Sequence, residues 1–431
     1  MGLKVAVIGA GSSYTPELIA NLLEPGVRLD VDELALLDPN VRKLELIAAA
    51  CRRLLTQADR HMSIRPTDQR EAALDSADFI ILQIRVGGLE ARVRDETVPM
   101  ELGMVGNETT GPGGCACALR TVPVALGLAR EAKRLAPRAC LLNLSNPAGI
   151  VTEALLRHSG LRTVGFCNIP INTTYALADV LTADPAHVRL DSFGLNHLSW
   201  VRRAFVNGQE KLQDLIAATR DRRAPLYRRG LVDNLMDPDL LRSLGMICNW
   251  YVRYFYFPEQ VLEADRRSGA SKGARDMDSE NRLEAIYARS GYNAQAREIL
   301  AGKGGAQYYV PVLAVMDAIV HDTGATVIAD VTNEGAMPDL PPEACVEVPA
   351  RFYRDRTEPL PSGTMPLSVR GLVQTVKAYE QLVIEAALTG DRARAIAALM
   401  AHPLCGSYGK ATAFFERVLA NERAFLPQFI H

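Results

Sequence analysis

Long apolar runs are missing from this chain of 431 residues. No stretch approaches the roughly 20 apolar residues that cross a bilayer, so a membrane-spanning protein is not expected. The start does not read as a secretory signal. Met1-Gly2-Leu3-Lys4 gives way at once to Val5-Ala6-Val7-Ile8, with no basic n-region and too short an apolar run. An excess of one charge sign is absent too, since 48 basic side chains face 50 acidic ones. Without a whole-chain basic field, neither nucleic acid nor an anionic membrane is an expected partner. The 8 cysteines are scattered through apolar or glycine-rich settings and make no disulfide framework. Cys115 and Cys117 are spaced C-x-C, but no second pair completes a tetrahedral zinc site, so they read as small buried residues. The expected location is a reducing cytoplasm. Internal repeats and low-complexity tracts are also lacking.

What is present is an ordinary globular composition, 48% hydrophobic and 23% charged, over a length beyond what one core usually supports. Two closely packed domains are expected, residues 1–170 and residues 171–431. The first reads as alternating strands and helices. Lys4–Ile8 is a β-branched strand, and Pro16–Leu23 is helical with Thr15 as its N-cap and Pro16 in the first position. Glu33–Leu37 is the next strand, stopped by Asp38-Pro39-Asn40, and a long helix runs from Arg42 to about Gln57. Ala77–Ile84, Ala139–Leu144 and Thr163–Phe166 have the length and composition of parallel strands buried on both faces. That alternation predicts a doubly wound parallel α/β sheet. Beyond residue 170, helices are expected over Val369–Leu388, Arg392–Ala401 and Tyr408–Asn421, with loops at Pro338–Pro342 and Glu358–Pro366. The second part is therefore a mixed α+β domain packed across the carboxyl ends of the first sheet.

Gly9-Ala10-Gly11-Ser12-Ser13-Tyr14 follows the first strand and opens the first helix. Gly9 permits the tight turn, and Gly11 lets the backbone approach a pyrophosphate at the positive helix end. Tyr14 stands where a dinucleotide fingerprint carries its third glycine. Ser12 and Ser13 offer hydroxyls to phosphate. Asp38, at the end of the second strand, is placed to accept from both ribose hydroxyls, which selects NAD over NADP because a 2′-phosphate would meet a like charge. A G-x-G turn alone is common in structural loops. With strand, helix and Asp38 in register, it predicts an NAD-binding Rossmann half.

Cys167 stands where the strand ending in Phe166 gives out, the rim at which doubly wound folds bind ligands. His197 likewise ends an apolar run. Each has a bland alternative, an inert buried thiol and a satisfied core histidine. As a pair they offer a thiolate and an imidazole to a divalent cation, whose open positions would take water and substrate oxygens. Asn249–Tyr256 is an aromatic cluster that reads either as a packed helix or as the source of a tyrosine base near that cation.

These residues and their surroundings resemble glycoside hydrolase family 4. The resemblance is carried by GAGSSYTPEL (Gly9–Leu18), QIRVGGLE (Gln83–Glu90), GNETTGPGG (Gly106–Gly114), NLSNPAGI (Asn143–Ile150), CNIP (Cys167–Pro170) and GLNH (Gly194–His197). Lys303–Ala306, NEGAMP (Asn333–Pro338) and AHPL (Ala401–Leu404) extend it over nearly the whole chain. Cys-Asn-Ile-Pro is similar to the 6-phospho-β-glucosidase branch, whereas α-acting members carry Cys-Asp. The resemblance implies a two-domain architecture like that of lactate and malate dehydrogenases. It also implies NAD+, Mn2+ or another divalent cation, and a small phosphorylated β-glucoside as substrate. The implied reaction is oxidation at carbon 3, elimination of the aglycone, water addition and re-reduction. Residue by residue it implies Cys167 and His197 as metal ligands and Tyr251 as the base, with Tyr254 as the alternative. Asn146 and Asn168 would touch sugar hydroxyls, and Arg85 and Arg275 would grip the 6-phosphate. Glu108 is implied as an active-site contact without an assigned role. Asn168 cannot act as the general acid that Asp supplies in α-acting relatives. A homo-oligomer, dimer or tetramer, is expected. Two other readings stay open: a family member acting on an unphosphorylated or galacto β-glycoside, and a 2-hydroxyacid dehydrogenase of the malate/lactate type.

Overall fold

Val5-Ala6-Val7-Ile8 has no polar side chain to keep in water, and the strand it forms, β1 (Leu3–Ile8), lies inside a nine-stranded sheet. The computed structural model describes residues 2–219, 237–304 and 307–430. In chain order the further strands are β2 (Val31–Leu37), β3 (Ser63–Thr67), β4 (Phe79–Leu82), β5 (Cys140–Asn143), β6 (Arg162–Gly165), β7 (Val188–Leu195), β8 (Leu198–Val206), β9 (Gln209–Glu210), β10 (Ile247–Cys248), β11 (Ala325–Thr332), β12 (Cys345–Phe352) and β13 (Thr357–Pro359). The large sheet has the order β13-β12-β11-β6-β5-β4-β1-β2-β3. β1 is parallel to both neighbours, with Val5 opposite Leu34 on β2 and Phe79 on β4. The chain winds outward to β3 and then returns to start again at β4. This places a topological switch point between β1 and β4, where such sheets bind ligands beyond their carboxyl ends.

The sheet continues across the expected domain boundary at residue 170. Strands β11 to β13 are antiparallel and extend it beside β6, with Asp330 opposite Gly165. A smaller antiparallel sheet, β10-β8-β7 with β9 on β8, carries the rest of the strand structure.

Local chemistry explains the element ends. The Asn40 side chain accepts from the Lys43 amide at 3.1 Å and caps the helix Val41–Gln57. The first helix, Thr15–Leu22, corrects one expectation. Tyr14 occupies the capping position without a side-chain bond, and the Thr15 hydroxyl instead donates to the Ala10 carbonyl at 2.9 Å. The runs expected over Ala77–Ile84 and Ala139–Leu144 pair over only four residues each, Phe79–Leu82 and Cys140–Asn143, their ends running into the connecting loops. The three late helices form over Leu367–Thr389, Arg392–Ala401 and Tyr408–Glu422, and the expected loop at Glu358 begins inside β13.

A second correction concerns apolar length. The helix Gly111–Leu135 has the length and composition to cross a membrane, contrary to the reading of the sequence. Yet 83% of its most apolar window is buried inside the protein, where it packs against Gly88–Glu101 and Leu367–Thr389. Its apolar character is that of a core helix.

Candidate active site

β6 ends at Gly165, and Cys167 then serves as N-cap of the helix Asn168–Val180, its Sγ accepting from the Ile169 amide at 3.4 Å. This holds the thiol at the carboxyl edge of the sheet. His197 comes from the tip of the β7–β8 hairpin. Leu195 pairs with Leu198, so Asn196 and His197 form a two-residue turn with His197 at φ +63°. Gly194, at φ +139°, must lack a Cβ, which would lie 2.3 Å from the Leu198 carbonyl oxygen. Glu347 on β12 accepts from Asn196 Nδ2 at 3.2 Å and from Ser199 Oγ at 2.7 Å, anchoring the hairpin to the large sheet. The result is that Cys167 Sγ and His197 Nε2 lie 3.3 Å apart.

Both side chains are 6% exposed. Burial pushes the Cys167 thiol well above its usual range and pushes the His197 imidazole down to about 3, so both are neutral here. A soft sulfur and a neutral imidazole nitrogen facing one point suit a divalent cation. Among the described residues, no cluster of three or more His, Cys, Asp or Glu forms, so such an ion would draw the rest of its shell from water and substrate.

The aromatic cluster is not one packed helix. It runs from β10 into a 3₁₀ turn, Trp250–Val252, and a short helix, Arg253–Tyr256. Asn249 caps the turn by accepting from the Tyr251 amide at 3.0 Å. The Tyr251 ring lies flat on the His197 imidazole, with centroids 3.7 Å apart and planes 2° from parallel. Burial, then Tyr254, raises its phenol well above the ordinary value. Tyr254 is engaged differently: its hydroxyl oxygen accepts from Asn107 Nδ2 at 3.0 Å. Of the two candidate bases, Tyr251 is the one that lies on the candidate metal ligand His197.

Glu108 joins two arginines. It pairs closely with Arg85, and its Oε2 lies 2.8 Å from Arg92 Nε. Burial works to raise the Glu108 carboxyl, but Arg85 and Arg92 outweigh it and hold the group ionised. Arg92 reaches on to Asp276 at 2.6 Å. Arg85 keeps a third of its side chain open. Arg275 does not join this network. It is exposed, donates to the Ala270 carbonyl at 2.7 Å, and lines a cavity of about 520 Å³ with Lys272, Asp276, Ser279 and Arg282. Asn146 precedes Pro147 across a cis peptide at the end of β5 and is half-buried. Asn168 Nδ2 donates to the Gly304 carbonyl at 2.6 Å, which brings Gly304 against Asn168; the last two residues of the Lys303–Ala306 motif lie outside the described residues.

The dinucleotide loop has the expected shape. Gly9 sits at φ +85°, where a Cβ would come within 2.6 Å of the Gln83 carbonyl oxygen. A Cβ on Gly11 would meet the Asp38 carboxylate at 2.8 Å, because Asp38 Oδ2 accepts from the Gly11 amide at 2.9 Å. Asp38 Oδ1 accepts from the Asn40 amide at 2.8 Å. Each carboxylate oxygen can accept more than one bond, so ribose hydroxyls can still be received there and NAD fits the loop. Ser12 Oγ accepts from the Tyr14 amide at 3.3 Å, and Ser13 Oγ donates to Glu280 at 2.5 Å. Burial disfavours the Glu280 charge, but Lys303 and Lys43 prevail and hold its pKa at about 2. Tyr14 packs edge-on to Tyr308, 5.8 Å away.

Reading the sequence missed Asn107, Thr109, Arg92, Lys43 and Glu280. The first two lie in the GNETTGPGG block, where only Glu108 stood out by charge. The others lie on helices, and only the folded chain brings Arg92 to Glu108 and joins Lys43 and Glu280 beside Ser13.

The family 4 glycosyl hydrolase model matches residues 4–183, and the family 4 glycosyl hydrolase C-terminal domain model matches residues 192–405. A probable 6-phospho-β-glucosidase of Bacillus subtilis is 35% identical over 436 residues, covering 100% of this chain and 98% of the relative. The 6-phospho-β-glucosidase of Thermotoga maritima, solved with NAD and glucose 6-phosphate, superposes with a TM-score of 0.90 at 28% identity, covering 99% of each chain. The same enzyme, solved with manganese, NAD+ and glucose 6-phosphate, gives 0.88 at 27% identity, covering 98% of this chain and 99% of that one. A lactate dehydrogenase from a Medee basin deep-sea metagenome shares the fold alone, with a TM-score of 0.55 at 16% identity over 90% of this chain and 100% of that one. With both family models matching in order along one chain, this protein belongs to family 4 of the glycosyl hydrolases.

Proposed function

We propose that this enzyme hydrolyses 6-phospho-β-glucosides with NAD+ and Mn2+, or another divalent cation, by transient oxidation at carbon 3 and elimination across carbons 1 and 2. The observation that carries this reading is the stack of Tyr251 on His197, whose Nε2 faces Cys167 Sγ at 3.3 Å. A phenol placed on a metal-ligand pair suits removal of a proton from a carbon next to a metal-held oxygen. When bound, the dinucleotide supplies reversible oxidation at carbon 3, and the cation supplies positive charge beside the oxygens on carbons 2 and 3.

The chain's own residues do the rest. Gly9, Gly11, Ser12, Ser13 and Tyr14 form the dinucleotide cradle, and Asp38 receives the ribose. Arg85 takes the 6-phosphate, with Glu108 fixing the guanidinium from behind. Asn146 and Asn168 hydrogen-bond the sugar hydroxyls from the ends of β5 and β6. Tyr251 Oη takes the proton from carbon 2. Asn168 carries no ionisable proton for the leaving group, so a β-aglycone leaves with a proton from solvent or another donor. Arg275 is exposed and donates to the Ala270 carbonyl rather than pairing with Glu108, so the phosphate reading rests on Arg85.

Residues 1–170 act as the cofactor half and residues 171–431 as the half that supplies His197 and Tyr251. Leu367, Met400 and Tyr408 are exposed apolar side chains on the late helices, which supports a homo-oligomer. Eight free, buried cysteines suit a reducing cytoplasm.

The test is incubation with p-nitrophenyl β-glucoside 6-phosphate, NAD+ and Mn2+ under reducing conditions, with and without EDTA. Nitrophenol release that stops with EDTA and leaves no NADH behind is expected. Steady NADH formation on a 2-hydroxyacid, indifferent to EDTA, would sink the proposal. Equal kcat/KM on the unphosphorylated glucoside would remove the phosphate from it.

A further inference from the structure

His197 can ligate a metal through Nε2 only if its proton sits on Nδ1, and the two are exchanged by a ring flip. The flat stack on Tyr251 holds the plane of the ring but is blind to that flip. The hydrogen bond at the other nitrogen decides it.

The deciding chain starts at Asn107. Its side-chain Oδ1 accepts from two backbone amides, Thr109 at 2.9 Å and Thr110 at 3.1 Å. An amide N–H can only donate, so this atom is the oxygen, and Nδ2 is the atom facing the Tyr254 hydroxyl at 3.0 Å. Thr109 Oγ1 lies 2.8 Å from the same oxygen. Two acceptors at that distance would repel, so the single hydroxyl proton of Thr109 points at Asn107. Only lone pairs then remain on Thr109 Oγ1 for His197 Nδ1, 2.9 Å away. Nδ1 must therefore carry the proton, and the Nε2 lone pair faces Cys167 Sγ.

We propose that Asn107 and Thr109 are positioning residues that fix the Nδ1-protonated tautomer of His197 and so make its Nε2 a metal donor. The idea rests on the reading of Cys167 and His197 as metal ligands. Partners of this kind around a metal-bound histidine set its tautomer and basicity, and their removal typically lowers metal affinity 10- to 100-fold.

The test uses Mn2+ alone, titrated into the full-length protein and read as free ion by electron paramagnetic resonance. Thr109→Val keeps the shape of the side chain and removes the acceptor, and it should weaken Mn2+ binding about 10- to 100-fold. Thr109→Ser, which keeps the hydroxyl, should restore wild-type affinity, which a merely space-filling role would not require. Nitrogen-15 histidine spectra, with His197 assigned by its absence in His197→Gln, should show Nδ1–H in the wild type. If Thr109→Val does not fold, the wild-type spectrum decides: an Nε2–H tautomer overturns the proposal. Wild-type affinity in a folded Thr109→Val protein also overturns it, while the metal reading stands. Mn2+ binding that survives Cys167→Ala and His197→Gln together sinks the metal reading itself.

Discussion

The ring of Tyr251 lies parallel to the imidazole of His197 at 3.7 Å, so the candidate base and a candidate metal ligand share one aromatic face. This contact joins residues that are 54 positions apart, through the hairpin tip on one side and a capped 3₁₀ turn on the other. On the proposed reading, proton removal and charge neutralisation fall in the same small volume, although burial alone leaves the Tyr251 phenol harder to ionise than in water.

Tyr251→Phe keeps the stack and removes the hydroxyl. It should lower kcat on the phosphorylated nitrophenyl glucoside by about 10² to 10⁴-fold. Mn2+ affinity and melting temperature should stay near wild type, since the ring remains. Tyr254→Phe should do less to kcat, because its hydroxyl bonds Asn107 rather than lying on His197. The reverse order of the two kcat losses would transfer the base role to Tyr254.

Cys167→Ala should abolish both Mn2+ dependence and turnover, with the fold retained. The thiol is buried, but its loss removes few atoms from the core. Activity of wild-type protein after EDTA treatment should return on adding Mn2+. Full activity of the alanine variant would remove sulfur from the site.

Arg85→Lys replaces a planar fork with a point charge. KM for the 6-phosphorylated substrate should rise about 10-fold, the worth of roughly 1.4 kcal/mol of charge-assisted bonding. KM for an unphosphorylated analogue should hardly move. Arg275→Lys should have a small effect on both, because Arg275 bonds the Ala270 carbonyl and stays outside the Arg85–Glu108 pair. A larger effect at Arg275 than at Arg85 would reverse their order.

Glu17 gives a stability prediction. It is 9% exposed, its Oε2 has no partner among the described residues, and burial raises its pKa from 4.5 to about 7. The unfolded chain therefore ionises this carboxyl at a lower pH than the folded protein does. Its contribution favours folding below pH 4.5, falls as pH rises to about 7, and is flat above. Glu17→Gln keeps the acceptor for the Gln307 amide and should be the more stable protein at pH 8, by on the order of 3 kcal/mol. Denaturant midpoints at pH 5 and pH 8 measure it. A gap between the two proteins that does not widen toward pH 8 would contradict the assignment.

Much of the fold was legible because period and punctuation agree with it. β1, the glycine turn and Asp38 form one local unit, and each is diagnosed within a few residues. Cys167 and His197 stood out because each ends an apolar run. The extension of the sheet by β11 to β13 was not legible, since an antiparallel partner for β6 can come from anywhere in the chain. The side-chain phase on the helix Lys272–Ser290 was lost for a related reason. Arg275 and Asp276 are adjacent charges, and only packing against Arg92 turns Asp276 inward and leaves Arg275 outside. Asp38 shows a finer limit. Its position was expected, but its bond to the Gly11 amide depends on the backbone angle of the turn. Thr109 lies within GNETTGPGG but carries no charge to mark it there, and its importance comes from what lies 2.8 and 2.9 Å away.

The most direct test of the central claim is turnover of p-nitrophenyl β-glucoside 6-phosphate in D2O with NAD+ and Mn2+, followed by mass or NMR analysis of the glucose 6-phosphate formed. Proton removal by Tyr251 predicts deuterium at carbon 2 of the product, with nitrophenol released and no NADH left over. Product that keeps its original hydrogen at carbon 2 would contradict the elimination route.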